Sequence, residues 1–255
     1  MPKVPKVPKS VELALDAALD KALAIQRPVV LAYLDRVRTK HPTASPADVI
    51  DQLEKRYLTA VVGTGAASGG AAAMPGVGTG ASIATGAAEI AAFVAATAMF
   101  VLAVAEVHGV GTTDPQVRRA LVLTILLGEI AEPTVEAAAG APHWAHVLGR
   151  GNREAIGGVN AKLAQLMAGR FGARQGALLV GRALPLGIGA GIGAVGNAAL
   201  ARASIATARR AFGPPPKRFG PRVIEAGEDA KPRATKVPEV LRSAYERARG
   251  SKKGS

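Results

Sequence analysis

The amino-acid sequence predicts an all-α protein, a helical bundle rich in Ala and Gly with close-packed small-residue helices and disordered basic tails. The hydrophobic fraction is 49% but the aromatic fraction only 4%, so most apolar side chains are small and compatible with helices. Residues 57–105 contain a single charged residue, Glu89. A length of 255 residues fits one domain with tails.

The N-terminal region begins with an arm and continues with helical patterns. Residues 1–9 repeat Pro-Lys-Val, which predicts an extended, solvated arm, and the helical domain should run over residues 10–213. A pattern that starts after Ser10 should be kinked or split at Pro28. The segment 45–48, Ser-Pro-Ala-Asp, predicts a new helix with a serine N-cap, proline at the first helical position and aspartate in the capping-box position.

The central stretch, residues 57–105, should form two helices that meet at a turn. Its first part is almost entirely Gly, Ala, Ser and Thr, and Pro75 with Gly76 divides it from a denser apolar helix. That second helix should extend from about residue 79 to Glu106 and end at Gly109 and Gly111.

The remaining helices are predicted from helix N-caps and from helix-breaking glycine and proline residues. Asp114 should cap a helix that runs to about Ala139, and residues 143–158 are turn-rich. A helical pattern resumes at Asn160, and the uncharged segment 183–201 leads into a basic amphipathic helix that stops at Gly213. Residues 214–255 read as a basic, Pro-rich linker with a short terminal helix.

The charge distribution indicates an anionic partner. Of the formal net charge of +13, residues 174–255 supply +11, from sixteen basic and five acidic side chains. An anionic membrane surface or a membrane protein suits this region, and nucleic acid fits less well because few aromatic residues accompany the basic ones. The basic side chains assigned to a membrane surface are Arg202, Arg209, Arg210, Lys217 and Arg218.

The apolar segments predict membrane association on the cytoplasmic side rather than a clean span. The 16 uncharged residues from Ile90 to Ala105 would form a helix of about 24 Å, whereas a span needs roughly 20 mostly apolar residues. No signal peptide is expected, because acidic residues interrupt the apolar run after the N-terminal lysines. The protein should therefore be peripheral or partly inserted.

Glycine patterns have two interpretations. Gly191, Gly193 and Gly196 match the dinucleotide-binding spacing, but no strand is predicted before them, so nucleotide binding is not supported. Close helix packing explains the small-residue spacing better. The glycines assigned to helix packing are Gly65, Gly69, Gly187, Gly189, Gly191 and Gly193.

A group of carboxylates and imidazoles raises a metal-site alternative. The candidate ligands are Glu129, Glu132, Glu136, His143 and His146, with Glu106 and His108 as further candidates. These residue types could serve a soluble metal-dependent hydrolase, although the ligand spacings of known helical metal motifs are absent. A solvated glutamate face with loop histidines is the structural alternative. The absence of Cys excludes thiolate catalysis, no Gly-x-Ser-x-Gly motif occurs, and no catalytic residue or cofactor is predicted.

The order of features over residues 45–213 resembles the EcsC family. The segments that carry the resemblance are AAAMPGVGTG, AEVHGV, DPQVRRALVLTILLG, LPLGIGAGIGAVGNAAL and ATARRAF. The family's usual Tyr-Gly is replaced here by His108-Gly109. The resemblance implies a mostly helical bacterial protein, similar to a component encoded beside an ABC transporter linked to secretion, and it transfers no catalytic or binding residue. The sequence therefore favours a non-enzymatic, membrane-associated accessory protein; the hydrolase and a nucleic-acid binder that uses the basic tail are the alternatives.

Overall fold

The computed structural model describes residues 19–20, 22–24, 27–72, 79–141, 143–151, 154–167 and 188–219. Within helices, side chains are described except at residues 64–90 and 188–195. The arm at 1–9, Gly187 and the tail beyond 219 lie outside these ranges. Every regular element in the described ranges is helical, which confirms the all-α prediction.

The helices follow one another with short connections. They are α1 (Arg27–Lys40), α2 (Pro46–Ala72), α3 (Thr79–Val107), α4 (Pro115–Leu127), a 3-10 turn (Gly128–Ile130), α5 (Glu132–Ala139), α6 (Trp144–Leu148), α7 (154–167) and α8 (Ile188–Phe212).

The predicted starts of α2 and α4 are confirmed by their caps. The Ser45 backbone N–H donates to Asp48 Oδ2 at 2.9 Å, and the Asp48 N–H donates to Ser45 Oγ at 3.3 Å, so each residue satisfies the other's amide. Asp114 caps α4, because its Oδ1 accepts the Gln116 N–H at 2.8 Å. Local side-chain chemistry thus sets where both helices begin.

The predicted single helix from Asp114 to Ala139 is wrong. It is interrupted at Gly128, whose φ of 62° and ψ of −139° end α4. A 3-10 turn follows, and α5 restarts with Pro133, which has no N–H for a preceding carbonyl, in its first turn. The interruption redirects the chain and brings α5 beside the C-terminal end of α8.

The turn-rich region was also predicted too broadly. It contains the short helix α6, and α7 is already helical at residue 154, six positions before the expected start at Asn160. Buried side chains explain the earlier start, because Ile156 and Val159 both pack into the core. Apolar burial outweighs the two glycines, Gly157 and Gly158, that interrupt the helical pattern there.

Helix α3 forms the centre of the core. Apart from the partly buried Ala95, its residues 92–107 are all buried by other parts of the protein. Its dense apolar sequence is therefore explained by burial against the surrounding helices. In the described helices, none is both long and apolar enough to cross a membrane.

Buried hydroxyls and aromatic rings hold α2 against α3. The Tyr57 hydroxyl and Thr97 Oγ1 lie 2.8 Å apart, and Thr97 Oγ1 also donates to the Phe93 carbonyl on its own helix. The Tyr57 ring stacks on Phe100 with centroids 4.6 Å apart. Burial raises the pKa of Tyr57 to about 12, so the hydroxyl keeps its proton at neutral pH.

Helices α2 and α8 pack antiparallel along the bundle. Asn197 on α8 donates to the Val61 carbonyl on α2, while Arg209 farther along α8 reaches Glu54 nearer the start of α2. Helix α3 is antiparallel to α2, so the tip of the α2–α3 hairpin and the start of α8 lie at the same end. We call residues 57–72, 79–97 and 188–201 the small-residue end; its only charged residue is Glu89.

Candidate functional site

A cavity of about 650 Å³ lies at the opposite end of the bundle, where α2 begins and where α3 and α8 end. Apolar side chains from all three helices and the chain segment after α8 contribute most of its lining. Ionisable side chains lie among them. The apolar and glycine lining is Ile50, Phe100, Val104, Ala208, Gly213, Pro214 and Pro215; the ionisable lining is Asp51, Glu54, His108, His143, Arg209 and Arg210.

Both lining arginines are held by carboxylates from other elements. Arg209 donates through Nε and Nη2 to Glu54 on α2, with its Nε 2.8 Å from Oε1. Arg210 donates through Nε and Nη2 to Glu132 on α5 at 2.8 and 3.1 Å. These bidentate contacts raise the pKa of each arginine and fix both guanidinium planes.

Three imidazoles surround the C-terminal end of α8. His143 Nδ1 lies 3.0 Å from the Arg210 carbonyl oxygen, and His146 Nε2 lies 3.2 Å from that of Phe212. Carbonyls in the last helical turn have no partner within the helix. Because a carbonyl oxygen only accepts, His143 carries a proton on Nδ1 and His146 on Nε2 in these contacts.

His108, at the end of α3, completes this imidazole cluster. Its ring stacks on Phe212 with centroids 5.3 Å apart and meets the edge of His146 at 5.9 Å. The pKa of His108 is lowered to about 4. Burial is the main cause, and the positive charge that His146 and His143 would carry is the second. His108 is therefore neutral at physiological pH.

Two backbone positions with positive φ face one another at this cluster. His143 adopts a left-handed conformation with φ of 59°, and Gly213, just beyond α8, has φ of 76°. A Cβ on Gly213 would come within 2.8 Å of the His143 ring. Glycine is thus required at 213 both by the backbone angle and by the close approach of the ring.

The predicted metal ligands are not brought together as a metal site. Glu129 and Glu136 are exposed, Glu132 binds Arg210, and His143 and His146 contact the carbonyls of α8. In the ranges that the structure covers, no three His, Asp or Glu side chains are placed to hold a metal ion.

Glu106, another candidate ligand, lies in a separate buried ion pair. It is 3% exposed and accepts from Arg27 Nε and Nη2 at 2.8 and 2.9 Å, and from the Thr112 hydroxyl. The pair joins the start of α1 to the end of α3. The Glu106 carboxylate accepts three hydrogen bonds, which compensate its burial. Glu106 therefore has a structural role.

The other predicted residues are distributed over the bundle. Of the basic residues assigned to a membrane surface, Arg202, Lys217 and Arg218 are exposed, while Arg209 and Arg210 are held in their ion pairs. The packing glycines lie in α2 and α8, except Gly187, which lies outside the described residues, and their side-chain surroundings are not described.

Sequence reasoning missed Glu54, the partner of Arg209, and the role of Arg27. Glu54 and Arg209 are 155 positions apart, and no local pattern links them. The one available signal was that Glu54 lies among the apolar residues of α2, where an acid requires a partner if it is buried.

Acidification should destabilise the protein through His108. Because its pKa falls from 6.5 to about 4 on folding, the unfolded state binds more protons between these values. The free energy of unfolding should therefore fall progressively as the pH is lowered from 6.5 towards 4. The total loss should be about 2 kcal/mol, because solvent partly screens this half-buried ring.

Urea unfolding of the wild type and His108→Gln at pH 7.5 and pH 5 measures this loss. The variant should lose less stability between the two pH values than the wild type does. Equal losses of unfolding free energy in the two proteins would contradict the prediction that His108 titration causes the pH dependence.

No family model, curated protein or solved structure matches this chain.

Proposed function

We propose that the protein is a non-enzymatic helical accessory protein that associates with the cytoplasmic leaflet of a membrane through its small-residue end. One observation carries the proposal: segments of three helices that together contain a single charged residue, Glu89, converge at one end of the bundle, although α8 follows α3 only after several intervening helices. Tyr57, Val61 and most of residues 92–97 at this end belong to the buried core, and the membrane contact is assigned to the remainder, nearer the tip of the α2–α3 hairpin and the start of α8.

The dimensions of the small-residue end fit one leaflet. Residues 57–72 of α2 span about 24 Å and residues 188–201 of α8 about 21 Å at 1.5 Å per residue. The hydrocarbon part of one leaflet is about 15 Å thick, half of the full core. This end is therefore long enough to enter the headgroups and one leaflet without crossing the bilayer.

Two arginines border the small-residue end at a similar height. Because Asn197 contacts Val61 in the antiparallel pair, Arg202 on α8 lies level with Arg56 on α2. Each basic side chain near an anionic leaflet contributes about 1 kcal/mol to binding. The proposal assigns the headgroup contacts to these two residues, since Arg209 and Arg210 bind carboxylates at the other end.

The resemblance to the EcsC family supports a place beside a transport or secretion system. Among the described residues, no group of three His, Asp or Glu side chains is placed to hold a metal ion, so no contact there favours the metal-hydrolase alternative. An accessory role requires a stable surface and no catalytic group, and it suits a chain in which the small-residue end has a single charged residue, Glu89.

Co-sedimentation with vesicles tests the proposal. The full chain should bind vesicles that contain phosphatidylglycerol, and part of the binding should persist in high salt because apolar contacts are not screened. Ile83→Asp places a charge in the small-residue end and should weaken binding about tenfold. Ile130→Asp is the matched control, because Ile130 is exposed on the 3-10 turn, away from this end.

Two outcomes would reject membrane association through this end. One is the absence of sedimentation with any vesicle; the other is equal binding by Ile83→Asp and Ile130→Asp. Circular dichroism of both variants confirms that the helices are intact.

A further inference from the structure

The cavity at the charged end has the size and lining of a small-molecule site. Its volume of about 650 Å³ lies within the range of roughly 300–1,000 Å³ typical of ligand pockets. Three helices and the segment after α8 line it. Phe100, Val104 and Ala208 provide an apolar surface that is itself part of the core.

The fixed charges around the cavity make it a poor site for anions. Glu54 and Asp51 act electrostatically on Arg209, and Glu132, Glu129 and Glu136 act on Arg210. Of these carboxylates, Asp51 and Glu54 line the cavity, and Glu54 and Glu132 accept bidentate hydrogen bonds from the two arginines. The arginines, which would otherwise suggest an anion site, are therefore already paired.

The helix termini at the cavity carry partial charges of both signs. Helices α3 and α8 end here with the partial negative charge of a C-terminus, and α2 begins here with the partial positive charge of an N-terminus. His108 is neutral, so one of its ring nitrogens is an acceptor. Asp51 is exposed at the cavity and places a carboxylate where a ligand would enter.

We propose that this cavity binds a small organic ammonium ion, with its apolar body against Phe100, Val104 and Ala208 and its charged nitrogen at Asp51. The site is separate from the small-residue end, so the proposal is independent of membrane association. A cation with an apolar body matches both the acidic surroundings and the apolar lining.

Benzylammonium is the probe, with benzoate and benzyl alcohol as controls that share its ring and differ in charge. Trp144 is the protein's one tryptophan, is 1% exposed, and adjoins the cavity-lining His143 in the sequence. Its fluorescence, followed at pH 7.5 together with calorimetry, should report saturable binding of benzylammonium. The two controls should bind at least fivefold more weakly, the factor expected for one exposed charge pair.

Variants separate the carboxylate's effect from that of the net charge. Asp51→Asn should weaken benzylammonium binding about fivefold. Asp35→Asn on α1 makes the same change in net charge outside the cavity lining and should bind as the wild type does. Asp51 is exposed, so its replacement should leave the fold intact, which circular dichroism verifies.

Three results would overturn the proposal. Benzoate could bind as tightly as benzylammonium, no saturable benzylammonium binding could occur, or Asp51→Asn could retain the affinity of Asp35→Asn. Vesicle binding by Asp51→Asn, measured in parallel, should remain at the wild-type level, so failure of the cavity proposal is distinguishable from failure of membrane association.

Discussion

Gly213→Ala should lower the free energy of unfolding by about 2–3 kcal/mol. An alanine at this φ of 76° costs about 1–2 kcal/mol. The new Cβ would also meet the His143 ring at 2.8 Å, so the ring must move and its hydrogen bond to the Arg210 carbonyl is lost, which costs about 1 kcal/mol more. Urea unfolding at pH 7.5 measures the loss.

Gly140→Ala is the control for Gly213→Ala. Gly140 has a similar φ of 67°, but a Cβ added there would have no neighbouring atom within 4 Å. Only the backbone cost should appear there, about 1–2 kcal/mol. Equal losses at the two glycines would show that the contact with His143 contributes nothing.

Glu106→Gln should destabilise the protein by a similar amount, about 3 kcal/mol. Breaking a buried ion pair costs roughly 3–5 kcal/mol because one charge is left uncompensated, and the lower end applies since the Arg27 side chain is 28% exposed. The amide group of glutamine would also place a donor against an arginine N–H. Urea unfolding of the variant at neutral pH measures the effect.

Glu132→Gln provides the matched comparison for Glu106→Gln. Its partner, Arg210, is 47% exposed, so water can compensate the remaining charge and the loss should be about 1 kcal/mol or less. Replacing both members of the buried pair, as in Arg27→Met with Glu106→Leu, should recover most of the stability. The ion-pair explanation fails if the double variant is less stable than Glu106→Gln.

The helix boundaries that the sequence predicted well are those set by neighbouring side chains. Ser45 and Asp48 satisfy one another's amides within a single turn, and Asp114 caps α4 two residues away. The break at Gly128 was visible as a glycine, but the same residue could have continued a helix. Its positive φ redirects the chain so that Glu132 on α5 meets Arg210 on α8, a contact between distant parts of the chain that no local pattern records.

The candidate site depended on contacts that sequence patterns do not show. Glu132 was grouped with His143 and His146 as metal ligands, and all three do lie around the end of α8. Their partners there are an arginine and two carbonyl groups, because α8 arrives from far along the chain. The residue types indicated a polar cluster, and only the tertiary fold determined what that cluster contacts.

The antiparallel packing of α2 on α8 has a consequence for the order of folding. Helices α2 and α3 are neighbours in sequence and can pair early, whereas the contact of Glu54 with Arg209 closes 155 positions of chain. Closing so long a loop costs entropy before any contact compensates it. During synthesis, the side of the α2–α3 hairpin that packs on α8 therefore stays exposed until nearly the whole bundle has left the ribosome.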